Sequence, residues 1–223
     1  MSDMSSASDE TAFEQVNLNP LTPLNRYKFL TASVVPRPIA LVSTIGPTGL
    51  VNVAPFSQFI ILSATPPILG IVSGQYSDGI KDTHAHILRT QQFVINVVDE
   101  DLAQATQACA FPFRSDQSEA EIVGLDTLDC TTIDGRRLAA SPMSFECRLQ
   151  RTERFGETAT LIAGEVVAVH ARTGLVSGHR VDHRKLKPLG RIAGRSYCRT
   201  REVVEMPDGL DDPYRQYGRE LRS

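Results

Sequence analysis

Val34-Val35-Pro36-Arg37-Pro38-Ile39-Ala40-Leu41-Val42-Ser43-Thr44-Ile45 runs into Gly46-Pro47-Thr48-Gly49 and then into Leu50-Val51-Asn52-Val53-Ala54. Two runs rich in β-branched and aliphatic residues, parted by a Gly/Pro turn, predict a β-hairpin. The first run is apolar without alternation, which predicts a strand covered on both faces. Further strands are expected at Ile68 to Ser73, Phe93 to Val98, Ser144 to Arg151 and Thr158 to Ala171, each bounded by Gly, Pro or charged clusters. In Ser144-Phe145-Glu146-Cys147-Arg148-Leu149 apolar and polar residues alternate, so one face should pack and the other meet water or a partner. Phe155-Gly156-Glu157 can turn that strand into the next. Asp82 is placed to cap a helix through about Thr90, Asp99 or Asp101 another through Cys109, and Ser118 a third that Gly124 stops. Strands joined by hairpins outnumber the short helices. The pattern therefore predicts a mainly β fold, an antiparallel barrel with peripheral helices, over a doubly wound parallel sheet.

The chain has 223 residues, a hydrophobic fraction of 41%, a charged fraction of 22% and a formal net charge of −3. Such a composition suits one large domain with a substantial core and excludes disordered or collagen-like classes. No apolar run approaches the roughly 18 to 20 residues of a membrane-spanning helix. Residues 1–19 are polar and lack periodicity, so they are expected to be a disordered tail, with the domain over 20–205 and a C-terminal tail over 206–223. Acidic Asp3, Asp9, Glu10 and Glu14 precede the first basic residue, Arg26, unlike a secretory or mitochondrial leader, so a cytoplasmic location is expected. Cys109, Cys130, Cys147 and Cys198 lack paired metal-site spacing and read as reduced, mostly buried thiols.

Several chemistries have no sequence support. There is no Gly-x-Gly-x-x-Gly, no P-loop, no Gly-x-Ser-x-Gly and no His-Glu-x-x-His. His84 and His86 stand two apart on the expected helix, point apart, and read as surface residues. His179 and His183 are four apart but lack a third ligand, so no metal is expected. His170 reads as a partly buried histidine at a strand end.

Two segments carry a positive signal. Ser73-Gly74-Gln75-Tyr76-Ser77-Asp78-Gly79-Ile80-Lys81-Asp82-Thr83 leads from a strand through a polar loop into a helix start. Unpaired N–H groups, a partial positive charge, the Lys81 ammonium and the Thr83 hydroxyl together suit a phosphate monoester. A plain cap and a solvated lysine would give the same text. Asn52-Val53-Ala54-Pro55-Phe56-Ser57-Gln58-Phe59 ends a strand in small residues and Pro, beside two aromatic rings. Backbone amides at such an edge can meet the carbonyls and ring nitrogens of a flat heteroaromatic ligand, although an ordinary buried strand reads alike.

In order, Arg37-Pro38-Ile39-Ala40-Leu41-Val42-Ser43-Thr44, Asn52-Val53-Ala54-Pro55-Phe56-Ser57, Pro66-Pro67, Lys81-Asp82-Thr83, Phe93-Val94-Ile95-Asn96, Gly164-Glu165-Val166-Val167, Pro188-Leu189-Gly190-Arg191 and Gly194-Arg195-Ser196-Tyr197 resemble the flavin reductase-like, FMN-binding split-barrel family. The resemblance spans about residues 26 to 200. It implies a six-stranded split β-barrel, a homodimer and one FMN per subunit near the interface. It places the flavin phosphate at Lys81, Asp82 and Thr83, and the isoalloxazine and ribityl chain along Asn52, Val53, Ala54, Pro55, Phe56 and Ser57, with Ser43 and Thr44 contributing. The family often has Asn where this chain has His86. Its members mostly pass electrons from NADH or NADPH through flavin to a second flavin, to oxygen or to a partner monooxygenase. The hydride chemistry belongs to the cofactor, so no catalytic side chain is named.

Two other functions remain open: a flavin-holding electron carrier or sensor, and a pyridoxamine-phosphate-oxidase-like enzyme. Between His179 and Arg201 eight Lys or Arg residues face one Asp, a local excess that could attract a phosphorylated nucleotide or only make a solvated face. Stacking aromatics are missing there apart from Tyr197, so nucleic acid is not an expected partner.

Overall fold

The computed structural model describes residues 13–76 and 79–206. The expected tails fall largely outside that range, and residues 13–19 form no helix or strand. A first helix, α1 (Pro23–Ser33), stands where the sequence reading had none, with the Thr22 hydroxyl accepting from the Asn25 N–H and Pro in its first turn. After β1 (Arg37–Pro38), the expected hairpin is formed by β2 (Ala40–Ile45) and β3 (Val51–Phe56), with Val42 opposite Ala54 and Thr44 opposite Asn52. Next come β4 (Phe59–Ala64), also unanticipated, β5 (Pro67–Tyr76) and β6 (Gly79–Ile80). Helix α2 (Asp82–Thr90) leads into β7 (Gln92–Val97), α3 (Ala103–Ala108) and α4 (Glu119–Val123). Short β8 (Thr127–Asp129) and β9 (Arg136–Leu138) precede the long hairpin of β10 (Met143–Phe155) and β11 (Ala159–Ala171). The described chain closes with β12 (Val176–Ser177), β13 (Arg180–Val181), α5 (His183–Leu186), β14 (Leu189–Arg191) and β15 (Tyr197–Arg199).

The main sheet is antiparallel in the order β3-β2-β7-β10-β11-β5-β4, with β6 added to β5. The six strands expected from sequence are β2, β3, β5, β7, β10 and β11; β4 and β6 raise the sheet to eight strands. Strands β3 and β4 stand at opposite ends of this order, yet only Ser57 and Gln58 separate them in the chain. The three peptide links from Phe56 to Phe59 span at most about 11 Å, so the sheet must curl until its ends meet. The result is a barrel that is not zipped between β3 and β4.

Its interior is filled by Ala40, Val42, Phe56, Ile71, Phe93, Ile95, Cys147 and Ile162, one or two from each long strand, and by Ile87 of α2. A second cluster covers the outside of the first hairpin, where Ile39, Leu41 and Val53 meet Leu102, Cys109, Ala120, Leu138 and Leu189. Strand β2 is thus apolar on both faces because it is buried on both.

The alternating strand β10 departs from expectation. Ser144 and Glu146, read as a face toward water or a partner, are buried. Loop 131–133 folds over the Glu146 carboxylate, and Ser144 donates to Asn96 at 2.9 Å. His84 and His86, read as surface residues, are also buried, because α2 packs against β2 and β3 of the first hairpin and against β7. His170 lies on β11 with its Nε2 2.5 Å from Glu146 Oε1. The Asp99 carboxylate does accept from the Leu102 N–H ahead of α3, and Ser118 and Gly124 bound α4 as the sequence indicates.

Candidate functional site

Strand β3 and the N-terminus of α2 form one side of a cleft of about 480 Å³; residues 109–115 and Glu119 form the other. Helix α2 starts at Asp82, one residue earlier than expected. Lys81 occupies the cap position and no side chain among the described residues caps the helix, so Asp82 is not the cap that the sequence suggested. The first N–H to find a helical acceptor is that of Ala85, on the Lys81 carbonyl at 3.0 Å. The N–H groups of Asp82, Thr83 and His84 precede it, and the positive end of the helix opens at the cleft. Lys81 lies beside them, its Nζ 5.7 Å from the centroid of the Phe56 ring. Burial pushes its pKa down, a penalty that an anion in the cleft would offset.

Behind this surface runs a buried chain of polar groups. Asn52 Nδ2 donates to Thr83 Oγ1 at 2.9 Å and to Thr44 Oγ1 at 3.2 Å. Thr44 Oγ1 lies 3.2 Å from His86 Nδ1. Burial lowers the His86 pKa; Asp82 opposes that shift and Arg89 adds to it.

The structure brings Asn52, Ala54, Pro55, Lys81, Asp82 and Thr83 together on the cleft. The remaining sequence candidates lie elsewhere. Thr44 stands one layer behind. Ser43 donates to the Arg136 carbonyl at 2.6 Å and accepts from Asn96 at 3.1 Å. The Val53 side chain belongs to the outer cluster and Phe56 to the barrel interior. Ser57 accepts from Arg37 Nε at 3.4 Å. Alternation puts Asn52, Ala54 and Phe56 on one face of β3 and Val53 and Pro55 on the other, and the cleft at the strand end takes Asn52 and Ala54 from the first and Pro55 from the second.

The opposite wall was not foreseen. Phe111 and Phe113 meet edge to face with centroids 5.2 Å apart, and Phe111 is largely exposed at the lip. Phe111-Pro112-Phe113 was the available signal, but nothing in linear sequence places it opposite β3. Glu119, nearly buried, accepts from the Val53 N–H at 3.0 Å; burial raises its pKa against that bond. Cys109, pushed up to about 12 by burial and by Glu119, is a neutral thiol. None of the basic residues between 179 and 201 lines this cleft, and several are ion-paired: Arg184 with Glu205, and Arg199 and Arg201 with Glu100.

Compared with protein families, residues 32–189 match the flavin reductase like domain. The chain belongs to the flavin reductase-like family. This flavin reductase-like chain is 30% identical to nitrilotriacetate monooxygenase component B from Bacillus cereus, with a TM-score of 0.85 over 87% of this chain and 99% of that one. It is 36% identical to 2-nitrobenzoate 2-nitroreductase from Pseudomonas fluorescens, with a TM-score of 0.80 over 87% of this chain and 95% of the other. An uncharacterized protein of Deinococcus radiodurans shares 35% identity over 85% of this chain and 87% of its own length. The split-barrel architecture recurs at 19% identity and a TM-score of 0.75 in a protein of Shewanella frigidimarina, over 85% of this chain and 94% of that one.

Proposed function

We propose that this protein is an FMN-dependent oxidoreductase that takes electrons from NADH or NADPH and delivers them to a second flavin, to oxygen or to a partner monooxygenase. The observation carrying the proposal is the convergence of Lys81, Thr83 and the N-terminus of α2 at a cleft walled by Ala54, Pro55, Phe111 and Phe113. A cation, a hydroxyl and outward N–H groups are a donor set for a phosphate monoester; small and aromatic walls suit a flat ring. FMN combines both and, when bound, supplies hydride acceptance and onward electron transfer. Lys81, the α2 N–H groups and Thr83 would hold its phosphate. Ala54 and Pro55 leave room for the ring, and Phe111 and Phe113 exclude water from the cleft mouth. The likeness to a monooxygenase component and to a nitroreductase, both at 30% identity or above, supports electron transfer as the activity. On the same reading the protein acts in the cytoplasm as a homodimer. No helix among the described residues is long and apolar enough to cross a membrane.

The test is anaerobic rapid mixing of the FMN-loaded protein with NADH and, separately, NADPH. Bleaching of the visible flavin band within seconds is the expected result. An FMN-loaded protein that neither nucleotide bleaches would be an electron carrier or sensor instead.

A further inference from the structure

We infer that His86 is a positioning residue for the anion end of the cleft: through Thr44 and Asn52 it sets the direction in which the Thr83 hydroxyl gives its proton. The inference rests on the phosphate reading of that end and adds to it a residue that does not line the cleft.

Four side chains form the relay, and all are buried: His86, Thr44, Asn52 and Thr83 are between 2% and 7% exposed. Buried polar groups must be satisfied by one another, so the orientation of each constrains the next. Asn52 is the hub. Its amide nitrogen carries two protons, and they go to Thr83 Oγ1 and Thr44 Oγ1. An amide has no third proton, so in this arrangement each threonine oxygen acts as acceptor toward Asn52 and has its own proton left to give. Thr44 lies within reach of His86 Nδ1 and can give its proton there only if that nitrogen is unprotonated. The neutral imidazole with its proton on Nε2 meets this requirement. Thr83, at the other end, then has its proton available for the cleft, where a phosphate oxygen accepts.

The reverse arrangement shows why the histidine matters. A proton on His86 Nδ1 would donate to Thr44, whose own proton would turn toward Asn52. Asn52 would meet it best with its carbonyl, which requires the amide to flip. Thr83 would then be asked to donate to the same carbonyl and would face the cleft as an acceptor, repelling an anion. A side chain two layers from the ligand thereby decides whether Thr83 attracts or repels a phosphate. An apolar residue at 86 would leave the relay without a terminal acceptor and both orientations accessible.

The experiment measures dissociation constants of FMN and of riboflavin, which lacks the phosphate, for wild type, His86→Leu, His86→Gln and Thr44→Val, with thermal melting as the check on folding. In His86→Leu the preference for FMN over riboflavin should fall by about fivefold, the size of one net hydrogen bond, with riboflavin affinity kept. His86→Gln, whose side-chain oxygen can accept from Thr44, should restore most of it. If His86→Leu does not fold, Thr44→Val cuts the same relay in a shape-conserving way and should show the same selective loss. A full FMN preference in the folded apolar variants, or equal loss for both ligands, overturns the role of His86 and leaves the phosphate reading standing. A wild-type protein that binds both flavins equally overturns the phosphate reading itself.

Discussion

Lys81 joins two features of the cleft, a cation drawn out of water and the N-terminal end of a helix. Substituting Lys81→Ala should weaken FMN by about 1.5 to 3 kcal/mol, the size of a charge-assisted hydrogen bond, and leave riboflavin nearly unchanged. Titration of both flavins checks this, and equal losses would place Lys81 away from the phosphate. Glu146 is the other decisive charge. Burial opposes its ionisation, but N–H groups of Thr131 and Thr132, His170 and the Thr131 hydroxyl overcome burial and bring its pKa from 4.5 to about 2. A carboxylate with a folded pKa below its unfolded one contributes stability that is complete above the unfolded value. That contribution fades as pH falls from about 4.5 toward 2. Glu146→Gln should therefore cost on the order of 3 kcal/mol at pH 7 and much less at low pH. Urea unfolding at several pH values reads the difference; a penalty that does not shrink with acid would show that the ionised form is not what holds the 131–133 loop.

The strands explain which residues reach the cleft and which reach the core. In β3, Val53 points to the outer cluster while Ala54 both touches the barrel interior and lines the cleft. Ala54→Leu should lower flavin affinity while the apo protein stays folded, because overpacking an open groove costs binding rather than stability. Thermal unfolding of the apo variant separates the outcomes, and a much lower melting point with normal FMN binding in the folded fraction would assign Ala54 to the core. Strand β11 carries a complementary constraint at Gly164. A Cβ there would clash with the ring of Phe93, coming within 2.7 Å of Cε1, and would meet Cys147 Cβ at 3.0 Å. Phe93 fills the barrel only because β11 has no side chain at that point. Gly164→Ala should cost about 1 to 3 kcal/mol of folding free energy, read by denaturant unfolding, with little effect on FMN binding by the folded fraction.

As a whole, the described residues leave apolar surface in the open. Helix α1 buries none of its residues, and Leu24, Tyr27 and Leu30 are exposed. Strand β4, at one end of the sheet order, exposes Ile60, Ile61 and Leu62 in succession, with Ile61 74% exposed. An apolar edge of this kind favours association, and two-fold closure is its commonest outcome. Wild type should sediment as a dimer and Ile61→Lys as a folded monomer. A wild-type monomer that binds FMN tightly would count against a homodimer. This argument for a homodimer differs from the one the sequence offered, because the polar face of β10 is spent on Asn96 and on the 131–133 loop.

The barrel strands, and the helix start that reaches the cleft, were legible because their signals are local. Unbroken apolar runs between Gly/Pro turns mark strands buried on both sides, and Lys81-Asp82-Thr83 places a cation and a hydroxyl at a helix start within three residues. Helix α1 and β4 were missed although Thr22-Pro23 is a helix-start signal, since neither element has a clear apolar-polar period; both keep apolar residues in the open. Burial of Glu146, His84 and His86 could not be read at all. Whether a polar side chain is buried depends on partners distant in the chain, such as the 131–133 amides for Glu146 and Thr44 for His86. The wall of Phe111, Phe113 and Glu119 is of the same kind. Sequence alone determined which segments could become strands and set a cation and a hydroxyl at one helix start; only barrel closure decided what faces them, because it brings together residues that no local pattern connects.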